Sequence, residues 1–208
     1  ATEAQKRAHR VVVSIFVNPL QFGAGEDFDD YPHTPEQDQA RLPEAGADLL
    51  SLPSEAEIYP DGRDGMSFVE VPGLSDILCG ASRPGHFRGV ATVVSKLFNI
   101  VQPELALFGE KDYQQLAVIR SVVRDLGFDV EIVGAPTVRE ADGLTLSSRN
   151  VQLHPEARRQ AVALVRALDA AEGAVASGEL DSARLLQRAT AEIEKAPLAR
   201  VDYVELRE

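Results

Sequence analysis

Hydrophobic positions change their spacing several times along the chain, and each change marks an element. Residues 1–9 are polar with interspersed alanines and read as the tail of a helix. From Val11 to Val17 the run is β-branched and nearly continuously apolar, the pattern of a parallel strand covered on both faces. Asn18 and Pro19 end it. Thr34, Pro35 and Gln37 then supply an N-cap hydroxyl, a proline for the first helical position and the partner of a capping box, which predicts a helix that stops near Pro43 to Gly46. Asp48 to Leu52 is a second short apolar strand, so strand, helix and strand follow one another as in a βαβ unit.

The same order returns further on. Ser67 to Val71 alternates like a strand, Cys79 to Gly89 is a loop rich in Gly, Arg and Pro, and Val90 to Val101 reads as a buried helix. Leu105 to Phe108 is a strand between Pro103 and Gly109, Tyr113 to Leu126 an amphipathic helix stopped by Gly127, and Asp129 to Val133 another strand. Pro136 to Arg139 is strand-like and leads into a turn at Asp142-Gly143. Two Ala-, Leu- and Arg-rich helices follow, from Pro155 to about Ser177 and from Asp181 to about Ala196, with a lone strand at Arg200 to Leu206. The pattern predicts an α/β fold with a parallel sheet in residues 1–150 and a smaller α+β domain in residues 151–208.

Composition narrows the function more than the fold. The chain has 208 residues, 44% hydrophobic and 26% charged, close to globular averages, which excludes disordered and collagen-like classes. The formal charge of −12 opposes general adhesion to nucleic acid or anionic lipid, so a phosphate ligand needs local, aimed donors. The apolar runs are far shorter than the roughly 20 residues of a membrane span. Cys79 is the one cysteine, which gives no disulfide framework, and a reducing, cytoplasmic setting is expected. The chain opens Ala1-Thr2-Glu3 with Met66 as its single methionine, so a fragment lacking its translated start is also expected.

In a parallel α/β sheet, ligands gather beyond the carboxyl ends of strands. Asn18-Pro19-Leu20-Gln21-Phe22-Gly23 follows the first strand, and its amides suit either a small polar substrate or a plain proline turn. Gly109-Glu110-Lys111-Asp112 joins a strand to a helix, which brings backbone N–H groups, a positive dipole end and a lysine together, a combination that fits phosphate. Asp112 with Gln115 equally fits a capping box. Ser147-Ser148-Arg149-Asn150 offers two hydroxyls and a guanidinium for phosphate oxygens, or an ordinary helix cap. His86, flanked by Arg83 and Arg88 in a glycine loop, suits an anion contact or proton transfer, or simple solvation. The sequence has no Walker loop, Gly-x-Gly-x-x-Gly fingerprint, Gly-x-Ser-x-Gly elbow or Cys/His metal spacing.

In order and spacing, Ser14 to Phe22, Phe108 to Gln115, Asp142 to Asn150 and Val201 to Arg207 together resemble the pantoate–β-alanine ligase (pantothenate synthetase) family. The resemblance implies an ATP-dependent ligase that adenylates pantoate, releases pyrophosphate and lets β-alanine displace AMP. It further implies a Rossmann-like nucleotidyltransferase domain, a C-terminal lid domain, Mg²⁺ and a homodimer. By position, Gly109, Glu110, Lys111 and Asp112, with Leu146, Ser147, Ser148 and Arg149, correspond to the ATP loops, and Val138 lies beside the adenine. Gln21 and Gln115 correspond to the pantoate amides, with Gln21 also bordering the β-alanine site. Asn18 and His86 join them as candidate substrate contacts, and Lys111, Ser147, Ser148 and Arg149 are the candidate catalytic groups.

Departures from the family pattern carry expectations of their own. The family's His-x-Gly-His signature, which precedes the helix ending here near His9, falls outside these 208 residues, and members continue beyond the last strand. Because aimed donors contribute about a hundredfold to a thousandfold in rate, the 208 residues alone are expected to be nearly inactive. Gln37-Asp38 stands where members commonly have two aspartates, and Leu146 replaces a frequent methionine of similar volume. Two other readings compete: a Rossmann-type nucleotidyltransferase of different specificity, and a binding or dimerising fragment without catalysis.

Overall fold

The two apolar runs at 11–17 and 48–52 become one short parallel pair, β1 (Val12–Ser14) and β2 (Leu49–Ser51), with Val12 opposite Leu49 and Ser14 opposite Ser51. Asp48 sets the register. Its carboxylate accepts from the Val11 N–H at 2.8 Å and from Arg10 at 2.7 Å, while its own N–H donates to the Val11 carbonyl at 2.9 Å. The computed structural model describes residues 1–23, 25–28, 30–32 and 34–207, which fall into two compact units, Ala1–Pro136 and Thr137–Glu208.

In the first unit, α1 (Thr2–Gln5) precedes β1, and α2 (Pro35–Arg41) and α3 (Glu55–Ile58) flank β2. A second parallel pair joins β3 (Leu105–Gly109) to β4 (Glu131–Ala135), with Leu105 opposite Glu131 and Gly109 opposite Ala135. Between the two pairs run the short α4 (Cys79–Ser82) and the long α5 (His86–Val101), and α6 (Tyr113–Leu126) crosses from β3 to β4. The crossover is the predicted βαβ unit, and α6 ends where Gly127 takes the left-handed conformation at φ 67°.

The core lies between α5, α6 and the strands. Ile58, Tyr59, Val90, Val93, Val94, Phe98 and Ile119 form its main cluster, and Phe87, Ala91, Val118 and Val122 a second. α5 is buried along most of its first three turns, so its polar side chains bond inward: Thr92 donates to the Arg88 carbonyl at 2.7 Å and Ser95 to the Ala91 carbonyl at 2.8 Å.

In the second unit, an isolated antiparallel bridge pairs Arg139 with Thr145 around the Asp142-Gly143 turn, and α7 (Pro155–Gln160), α8 (Ala163–Ala176) and α9 (Ser182–Glu194) follow. Ala167, Ala189 and Ile193 are the buried contact of α8 with α9.

Four local expectations change. Residues 67–71 do alternate, with Val69 and Val71 packed on the second cluster and Phe68 outward, but the Val69 N–H donates to the Thr92 hydroxyl at 3.0 Å instead of to a strand. Residues 200–206 form no strand; Val204 packs beside the α8–α9 contact, and no strand pairs with them among the described residues. The Pro155–Ser177 helix breaks at 161–162, where the Leu164 N–H reaches the Ala161 carbonyl in a tighter turn. Thr34 does not cap α2, since its hydroxyl bonds the Asp38 carboxylate at 3.3 Å. Among the described residues no helix is long and apolar enough to cross a membrane.

Candidate active site

Gln21 sits where the chain turns after β1. Pro19 opens a 3-10 turn over Pro19–Gln21, and the Asn18 oxygen caps it by accepting from the Leu20 N–H at 3.2 Å. Asn18 is 1% exposed and its amide is fully used: the oxygen also accepts from the Tyr59 hydroxyl at 2.7 Å, and the nitrogen donates to the Gly89 carbonyl at 3.1 Å. Burial pushes the Tyr59 phenol up to about 12, so it remains a donor here. The turn lies against α5 at Gly89, where a Cβ would come within 2.4 Å of the Leu20 carbonyl oxygen and 2.7 Å of the Gln21 nitrogen. Only glycine permits that approach.

His86, first residue of α5, reaches the same turn. Its Nδ1 lies 2.8 Å from the Gln21 carbonyl oxygen and its Nε2 3.3 Å from an Arg83 nitrogen. Burial holds its pKa below the ordinary histidine value, against the opposing effect of the Gln21 bond. Arg83 in turn grips Glu26 through both carboxylate oxygens, and this guanidinium keeps the Glu26 carboxyl below the usual range.

The corner from β3 to α6 is built differently. Glu110–Asp112 forms a 3-10 turn that runs into α6, and the Asp112 side chain makes no cap hydrogen bond, so the capping box with Gln115 is not formed. A Cβ at Gly109 would meet nothing within 4 Å, so this glycine leaves open space above the corner. Lys111 is 3.6 Å from the Asp112 carboxylate, with both side chains substantially exposed. The adjacent glutamines diverge. Gln114 accepts from the Cys79 N–H at 3.1 Å and donates to the Leu74 and Ile77 carbonyls at 2.9 and 2.7 Å, whereas Gln115 is half-buried with no side-chain hydrogen bond among the described residues.

In the second unit, the Arg139–Thr145 bridge holds Val138 and Leu146 opposite one another, with the Leu146 N–H on the Val138 carbonyl at 2.9 Å and both side chains exposed. Ser147 accepts from the Arg149 N–H at 3.3 Å and so caps a 3-10 turn over Ser148–Gln152. Asn150 anchors the loop by donating to Glu140 at 2.9 Å and to the Thr145 carbonyl at 3.0 Å. Arg158 completes the frame with bonds of 2.8 Å to Glu140 and 2.7 Å to Asp142, and holds both carboxyls below their usual ranges. Ser148 and Arg149 are exposed and take part in further contacts.

Residues 1–208, the whole chain, match the profile described as "Pantoate-beta-alanine ligase". The chain belongs to the pantoate–β-alanine ligase family. Its members are ligases, and the name states the reaction, the joining of pantoate to β-alanine. A pantothenate synthetase of Pseudomonas fluorescens is 57% identical over 206 residues, 99% of this chain and 72% of the relative. One of Methylococcus capsulatus is 58% identical over 204 residues, 98% and 71% of the two chains. Among solved structures, the pantothenate synthetase of Thermus thermophilus superposes with a TM-score of 0.93 at 53% identity, covering 97% of this chain and 72% of that one. The pantoate–β-alanine ligase of Francisella tularensis, complexed with β-γ ATP and β-alanine, gives 0.73 at 35% identity, covering 91% and 70%. The parallel α/β architecture is that of the ligase family.

Within this pantoate–β-alanine ligase fold, the structure brings Asn18, Gln21 and His86 together around one turn, and Gly109, Glu110, Lys111, Asp112 and Gln115 around one corner. Val138, Leu146, Ser147, Ser148 and Arg149 share one loop of the second unit. Sequence reasoning missed Tyr59, Glu26 and the frame residue Arg158. Tyr59 bonds Asn18 across 41 positions and Glu26 bonds Arg83 across 57, separations at which no local pattern signals a pairing.

Proposed function

We propose that the chain condenses pantoate with β-alanine at the expense of ATP through a pantoyl-adenylate. The observation that carries this reading is its similarity to a ligase holding β-γ ATP and β-alanine together. The pantoate carboxylate attacks the α-phosphorus and pyrophosphate leaves; the β-alanine amine then attacks the acyl carbon, AMP leaves, and pantothenate is released. Such chemistry is mostly positioning and stabilisation of phosphate charge.

Gln115 and the Gln21 amide are assigned to pantoate, Gln21 bordering the β-alanine site. Lys111, with Gly109, Glu110 and Asp112, is assigned to ATP. In the second unit, Ser147, Ser148 and Arg149 are assigned to ATP phosphate, and Val138 and Leu146, both exposed and apolar, to its base. Asn18 and His86, whose polar atoms are taken up inside the protein, serve by holding Gln21. Residues 1–150 are the nucleotide- and pantoate-binding domain and residues 151–208 the start of a lid domain; a homodimer and a cytoplasmic setting belong to the same proposal.

Mg²⁺ accompanies this reading as the counter-ion of ATP. The described residues include no group of three or more His, Cys, Asp or Glu side chains able to hold a metal ion, so they form no all-protein cage and the ion would be carried mainly by the ATP phosphates. The test is pyrophosphate exchange by the natural protein, including the residues upstream of Ala1: label should enter ATP only when pantoate is present. Exchange without pantoate, or with a nucleotide acceptor in its place, would replace this reading by another nucleotidyltransferase activity.

A further inference from the structure

We infer that Glu26 and Arg83, acting through His86, are positioning residues that set the Gln21 amide for the carboxylate substrate. The inference rests on the assignment of Gln21 to pantoate and adds what holds Gln21 in place.

A guanidinium can only donate. With an Arg83 nitrogen 3.3 Å from His86 Nε2, that ring nitrogen must accept, so the ring proton sits on Nδ1 and donates to the Gln21 carbonyl 2.8 Å away. The neutral Nδ1–H tautomer satisfies both contacts, and it leaves the ring no proton to pass on. A second Arg83 nitrogen approaches the same carbonyl at 3.5 Å. That same nitrogen also donates to one Glu26 oxygen, and Nε donates to the other at 2.9 Å.

Gln21 is therefore fastened on both sides. Upstream, Asn18 ties the turn to α5 at Gly89; downstream, Glu26 ties the chain to Arg83, just before α5 begins. The side-chain amide is oriented too, since its oxygen faces the Asn18 nitrogen at 3.5 Å. The two N–H bonds of the Gln21 amide remain to donate to a carboxylate or hydroxyl of the substrate.

The ion pair is partly buried, with its side chains 27% and 24% exposed, so its loss costs some stability. The larger loss is expected in binding geometry. In the natural protein, Glu26→Gln and Arg83→Lys should each raise the KM for pantoate by about tenfold to a hundredfold, the range that a small misplacement of a positioning group costs. The KM for ATP should hold, and the melting temperature should fall only modestly. Arg83→Lys keeps the charge and loses the fork, so it separates geometry from electrostatics. His86→Ala should behave like these two, and His86→Asn, whose amide N–H can replace Nδ1–H, should restore much of the loss.

Gln21→Ala is the control. If it leaves the pantoate KM unchanged, the assignment of Gln21 itself fails. If it raises that KM while Glu26→Gln, Arg83→Lys and His86→Ala do not, the positioning inference is overturned and the assignment stands. Equal shifts in pantoate and ATP KM that track melting temperature would reduce the trio to a structural role.

Discussion

Lys111 and Gln115 share the corner after β3, and neither is committed to the fold. Among the described residues the lysine's one ionic neighbour is the exposed Asp112, an arrangement that contributes roughly 0 to 1 kcal/mol. Lys111→Ala should therefore leave the melting temperature unchanged and raise the KM for ATP about tenfold to a hundredfold, the loss of one charge-assisted bond of roughly 1.5 to 3 kcal/mol. An unaltered KM would return the corner to a mere helix start. His86 makes the opposite kind of prediction. Burial depresses its pKa, while Arg83 pushes the same way and Glu26, Asp112 and the Gln21 carbonyl oppose. A base with a depressed folded pKa contributes stability that is present above its ordinary value, about 6.5, and is lost as pH falls toward the lowered one. As pH falls below about 6.5, melting temperature should fall by more in the wild type than in His86→Asn. At this scale the placement of a lysine and amides after strands was legible in the sequence, where they suit phosphate and small polar ligands or, equally, a helix start and a proline turn. Their partners were not: nothing in Asn18-Pro19 says that the asparagine is buried under Tyr59 and spent on the backbone.

At the scale of elements, α5 carries the Gln21 turn through one missing methyl group. Gly89→Ala would place a carbon 2.4 Å from the Leu20 carbonyl, backbone against backbone, with no flexible side chain to yield. The expected cost is about 1 to 3 kcal/mol, as for other overpacked sites, together with a raised pantoate KM; thermal unfolding and kinetics of the one variant check both. Gly134 offers a contrast, because its would-be Cβ meets the Glu110 and Leu116 side chains, which can move. Elements were legible where local chemistry decides them. α6 runs over the expected Tyr113–Leu126 because Gly127 supplies a left-handed stop, and β1 and β2 lie inside their apolar runs. Residues 67–71 and 200–206 were not, because alternation reports which side chains are buried and says nothing about whether a ladder partner exists. α5 starts at His86, four residues before the expected Val90, because Gly85 in the left-handed conformation turns the chain into the helix.

The whole molecule carries a formal charge of −12 and an isoelectric point near 4.8. Mild acidification relieves self-repulsion and works against the loss at His86. Below about pH 4.5 the balance turns. Glu3, Glu26, Asp48, Glu57, Glu140 and Asp142 all have pKa values lowered by hydrogen bonds or cationic partners, and the stability each contributes is present above its ordinary pKa and lost as pH falls through the lowered one. Melting temperature should decline from about pH 4.5 downward, and a level profile to about pH 3 would show that these contacts contribute nothing in solution.

The neighbouring pair Gln114 and Gln115 answers to two different kinds of natural selection. Gln114 holds the 74–79 segment through three backbone bonds, so a one-base change to glutamate would set a carboxylate against two carbonyl oxygens and be purged wherever the protein must fold. The Gln115 side chain bonds nothing among the described residues, and on the proposed reading its substrate alone preserves it. A lineage that obtained pantothenate from its diet, yet kept the protein for some other purpose, should retain the first glutamine and let the second drift.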